Sequence, residues 1–116
     1  MDSRPLPLLL GYLHKHLLAT QDELAHVQER FEHFARLEGF GLGAVYVEEI
    51  ETAPAAFETL VHTIDRLDAA AIVLPSLLHF AVLGAPATIK RHFEHLTGAR
   101  VLIAATTSRL AGVPEP

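Results

Sequence analysis

Four apolar runs alternate with three stretches of helical spacing, and that rhythm organises the chain. From Leu8 to His16 the sequence reads as an apolar strand, broken only by Gly11 and Tyr12, that stops abruptly at His14-Lys15-His16. A run of this kind is covered on both faces and belongs to a parallel sheet wrapped by helices. Thr20, ahead of Asp22 and Glu23, starts a helix with acids at its positive end. Leu24, Val27, Phe31, Phe34 and Ala35 recur at spacings of three and four as far as Glu38, and Gly39 ends the helix.

The second strand is Ala44 to Val47, stopping at Glu48-Glu49 before a turn-like stretch through Pro54. A second helix spans about Ala55 to Leu67, with Phe57, Leu60, Val61 and Ile64 on one face. Ala69 to Leu74 is short and apolar enough to be a central strand, closed by Pro75. A third helix from about Pro86 to Leu96 faces inward with Ile89, Phe93 and Leu96, and Gly98 separates it from a last strand, Val101 to Ala105. Residues 106–116 form a short tail whose glycine and prolines preclude a long helix.

Strands alternating with helices over short connections imply right-handed crossovers. The expected fold is a single α/β domain over residues 1–116. It is a three-layer sandwich with a parallel four-stranded sheet, order 2-1-3-4, and helices on both faces. Composition agrees: 116 residues suit one domain, and 50% hydrophobic with 20% charged residues suits a globular chain with a real core. No apolar run approaches the ~18 residues of a membrane helix, and the early Asp2 and Lys15 argue against a signal peptide. We therefore expect a cytoplasmic protein. The absence of cysteine excludes disulfides and thiolate chemistry. A net charge of −5, with no basic stripe, disfavours nucleic acid as a partner.

Gly11-Tyr12-Leu13, Gln28 to Phe40, Tyr46-Val47-Glu48-Glu49, Pro54 to Leu60 and Ala71-Ile72-Val73, in this order and spacing, resemble the N-terminal catalytic domain of the serine recombinases, the resolvase and invertase family. The resemblance implies a resolvase-like fold over about Leu8 to Ala105. That family ends its first strand in Tyr-aliphatic-Arg-aliphatic-Ser, the serine attacking DNA; here the positions read Tyr12-Leu13-His14-Lys15-His16. After its third strand the family carries Leu-Asp-Arg-Leu-x-Arg, where this chain has Leu77-Leu78-His79-Phe80-Ala81-Val82. Nucleophile and phosphate-holding arginines are both missing, and the sequence ends at Pro116 without the family's long dimer-forming helix. The resemblance thus implies a pseudoenzyme, and fold analogy does not restore activity.

Two groups of residues then compete for a role. Leu77, Leu78, Phe80, Val82 and Leu83 form an apolar segment where loops are usually polar, so they are candidates for an interface with a protein partner or a second copy as a homodimer. The competing explanation is a short extra helix packed into its own domain. His14, His16 and His79, with Glu48, could instead form a ligand or zinc site, since His14-x-His16 on a strand places both imidazoles on one side. Eight histidines in the chain make chance clustering easy, and no cofactor is expected. Ser76, Thr106, Thr107 and Ser108 are further polar residues at the same edge. The sequence favours an inactive interaction or regulatory module. A small-molecule or metal-binding protein, or even an enzyme, is the alternative, and an accessory role in DNA recombination is the third reading.

Overall fold

The structure, a computed structural model, describes residues 6–18, 20–49 and 55–104. The turn-like stretch ending at Pro54, the tail 106–116 with Thr106, Thr107 and Ser108, and the side chains of His16 and Val82 lie outside the described residues.

Strands β1 (Leu8–His14), β2 (Gly41–Glu48), β3 (Ala71–Leu74) and β4 (Arg100–Ile103) pair in parallel, in the order β2-β1-β3-β4. The helices are α1 (Gln21–Glu38), α2 (Ala55–Leu67) and α3 (Pro86–Thr97). Alternation along the strands divides the core in two. Leu9, Leu13, Ala71 and Val73 face Val27, Phe31 and Ala35 of α1, whereas Leu10, Tyr12, Ile72 and Leu74 face Leu60 and Ile64 of α2 and Phe93 of α3. The central strand β1 is buried along nearly its whole length, as its apolar run demands.

Local chemistry sets the helix ends. The Thr20 hydroxyl accepts the Glu23 amide at 3.1 Å, satisfying a donor with no partner within α1. Gly39, at φ 82°, closes the same helix in the left-handed conformation. Gly11 is needed for close approach instead, since a Cβ there would sit 2.8 Å from the Phe31 ring and 3.1 Å from Val45.

Three expectations need correction. Strand β2 begins at Gly41, three residues before Ala44. Gly41 and Gly43 therefore belong to the sheet, and one extra residue is accommodated between Leu42 and Val45, opposite Leu9 to Gly11. Strand β1 ends at His14, and Lys15–Leu17 turn in a 3-10 conformation, so the two-residue period that would align His16 with His14 stops there. The third concerns the apolar segment Leu77–Leu83, which is itself a 3-10 helix, its Ser76 hydroxyl accepting the Leu78 amide at 3.2 Å. Three residues per turn bring Leu77, Phe80 and Leu83 to one side, against the core, and leave Leu78 outside. Phe80 is fully buried, its ring centre about 6 Å from those of Tyr12, Phe57 and Phe93. It is thus a core residue of its own domain and unavailable as an interface; of the five candidates only Leu78, 63% exposed, stands in solvent among the described side chains.

One outward amide of edge strand β4 is occupied by a side chain. Arg100 donates to the carbonyl of Ala70, just ahead of β3, and Ala104 to that of Leu74 at its end, which turns the Val101 amide outward, where Glu94 Oε2 accepts it at 2.8 Å. The Val101 hydrogen bond, opposed by partial burial and aided by Lys90 at 3.3 Å, holds the Glu94 carboxyl below the ordinary carboxylate range. Because the folded state lowers this group's pKa, its contribution is complete above the unfolded value of ~4.3 and is lost as pH falls through the folded value beneath it. Glu94→Gln should accordingly lower the melting temperature at pH 7, and the gap from wild type should close below about pH 4 in thermal denaturation followed by circular dichroism. Gly11→Ala should cost ~1–3 kcal/mol in urea denaturation, because the buried Phe31 has no room to retreat.

Candidate functional site

The carboxyl edge of the sheet gathers a compact polar group whose members come from β1, β2 and the Leu77–Leu83 segment. Glu48, the last residue of β2, is 2% exposed. Its Oε1 accepts the Ala56 amide at 2.8 Å, and its Oε2 accepts the Phe57 amide at 2.9 Å. These are first-turn amides of α2, which have no acceptor inside the helix and carry the positive end of its dipole. The same Oε2 takes the Tyr12 hydroxyl proton at 2.8 Å.

Tyr12 and His14 lie on one side of β1, two residues apart, with the tyrosine oxygen 3.0 Å from His14 Nε2. A hydroxyl has one proton; with that proton given to Glu48, the His14 Nε2–H is the donor in this contact. Burial raises the Tyr12 pKa, and the hydrogen bond and charge of Glu48 raise it further. The phenol therefore stays protonated and serves as a fixed donor. His79 enters from the segment after β3, and its Nδ1 accepts the backbone amide of His14 at 2.8 Å. Only a neutral ring with its proton on Nε2 can accept there. His14 is fully buried, and His79 is 4% exposed.

The structure thus brings together three of the four candidates for a ligand site, His14, His79 and Glu48, although not as an open pocket. Both Glu48 oxygens, His14 Nε2 and His79 Nδ1 are engaged with Tyr12, the start of α2 and the His14 amide. Among the described residues no group of three or more histidines, cysteines, aspartates or glutamates is placed to hold a metal ion. Sequence reasoning missed Tyr12 as a participant. A polar-tipped residue inside an otherwise apolar buried strand was the available signal, because a buried tyrosine hydroxyl usually finds a partner.

Among the described residues, two clefts lie between α2 and α3. One of about 230 Å³ is bounded by Val61, His62, Asp65 and Leu96, and an adjoining one of about 130 Å³ by Phe57, Val61, Leu83, Ile89 and Phe93. Neither contains a member of the polar group. No known protein family, curated protein or solved structure matches the chain.

The polar group predicts a graded response to substitution. Glu48→Ala would strand two helix amides and the Tyr12 hydroxyl and should cost about 3 kcal/mol or more. Tyr12→Phe keeps the ring contacts and should cost about 1–2 kcal/mol. Urea denaturation curves on the two variants check both the order and the size.

Proposed function

We propose that the chain is a catalytically inactive serine-recombinase-like domain that works as a protein-interaction or regulatory module. The observation that carries this reading is the closure of the polar group at the carboxyl edge. His14 and His79 occupy positions where the resembled family keeps arginines, and here the two are tied together by a hydrogen bond and shielded from solvent. Phosphoryl transfer needs a nucleophile and fixed positive charge presented to the phosphate. A neutral imidazole engaged as the acceptor of a backbone amide offers neither.

The same closure weighs against the small-molecule and metal readings, which need these imidazoles to face a ligand. It leaves the group a clear structural role, that of joining β1, β2, α2 and the Leu77–Leu83 segment at one point. Among the described residues no helix is long and apolar enough to cross a membrane, and the net charge of −5 makes a protein surface a more suitable partner than a phosphate backbone.

The test is direct. Purified protein incubated with supercoiled plasmid and magnesium should leave the plasmid intact, and low-salt gel shifts with linear duplex should show no retardation. Nicked or relaxed plasmid, salt-sensitive retardation, or tight zinc uptake abolished by His79→Ala would overturn the reading.

A further inference from the structure

We propose that the contact between His14 and His79 is a pH-sensitive latch: when His79 takes up a proton, the Leu77–Leu83 segment is released from the sheet. The bond that holds it runs from β1 to the segment, the His14 amide donating to His79 Nδ1 at 2.8 Å. Nδ1 can accept only while it carries no proton. Protonation there sets one N–H against another, and the ring, 4% exposed, then bears its charge in the interior. Both effects favour a form in which the imidazole has swung out to water.

The segment has the bounds of a movable unit. It is a run of 3-10 turns between Pro75-Ser76 and Gly84. Gly84, at φ 145°, holds a conformation that glycine adopts far more readily than any other residue, and a Cβ there would stand 3.2 Å from the Ile89 side chain. Against release stands Phe80, fully buried beside Tyr12, Phe57 and Phe93. The open form is therefore a minor one at neutral pH, and acid raises its population.

The titratable groups on the neighbouring elements do not discriminate in this way. On β1, Tyr12 is held protonated, and His14 donates from Nε2 to the tyrosine oxygen whether its ring is neutral or charged. On β2, Glu48 accepts the Tyr12 hydroxyl and two helix amides. Lys15, just beyond β1, pairs with Glu49 in solvent. The segment meets α2 at Phe57 and α3 at Phe93. On α3, Lys90 pairs with Glu94, and the exposed His92 borders the cleft at the Leu83 end of the segment.

Amide hydrogen exchange on the full chain, from about pH 8 to about pH 5 and corrected for intrinsic exchange, reads the opening directly. The open form binds a proton that the closed form refuses. Protection at the His14, His79 and Gly84 amides should therefore fall about tenfold per pH unit below the ordinary imidazole value of ~6.5, while amides in the middle of α1 keep theirs. In His79→Asn, whose side-chain oxygen stands near the place of Nδ1 and does not titrate, protection at the same amides should not follow pH. The wild-type His79 ring, followed by its nitrogen chemical shifts, should carry its proton on Nε2 at neutral pH. Protection that ignores pH, an equal slope in His79→Asn, an equal loss along α1, or a ring protonated on Nδ1 at neutral pH would each overturn the latch.

Discussion

A single buried carboxylate holds the two ends of the architecture together. Glu48 finishes β2, and a few residues on, its oxygens receive the opening amides of α2, the helix that crosses the sheet to reach β3. The direction of that crossover is fixed where it begins. Tyr12 ties the same carboxylate to the central strand, so an edge strand, a middle strand and a crossover helix share one point of attachment. An ion buried this deeply is tolerated because each oxygen has its donors, and an unpaired carboxylate in that position would oppose folding strongly.

The aromatic packing below it follows. Tyr12, Phe57, Phe80 and Phe93 come from β1, α2, the Leu77–Leu83 segment and α3, with ring centres 5.6–6.2 Å apart at tilted or edge-on angles. Such pairings add to the burial of area itself. The ring of Tyr12 belongs to this apolar stack while its hydroxyl belongs to the polar group, so the two halves of the site are one continuous structure. It is this continuity that makes the carboxyl edge, the usual ligand side of an open α/β sheet, part of the interior.

Much of the fold was legible in the residues because the signals were local. Thr20, Gly39 and Gly98 mark helix ends by mechanisms that act within a turn, and the bounds of α2 follow from apolar spacing alone. The sheet order followed from short right-handed crossovers. What escaped was decided at a distance. Gly41 and Gly43 carry no strand signal of their own and join β2 because β1 supplies the partner. Phe80 looks exposed in sequence, next to His79 and Leu78, until the three-residue period of its turn is known. Glu48, beside Glu49 after a strand, has the appearance of a solvated pair; its burial depends on a helix start several residues later. At the edge that the serine recombinase resemblance singled out, Glu48, His14 and His79 are buried and hydrogen-bonded within the domain.

The order β2-β1-β3-β4 also has a consequence in time. The central strand β1 is the first of the four to be made yet must wait for its second neighbour, since Gly11 pairs with Val45 on one side but waits for Val73, some 60 residues later, on the other. At ribosomal rates of ~5–20 residues per second that interval is ~3–12 s. Throughout it, an uncharged run of leucines with one free edge hangs from the ribosome, the kind of segment chaperones recognise and aggregates recruit. The strand that anchors the finished domain is, during synthesis, its most vulnerable part.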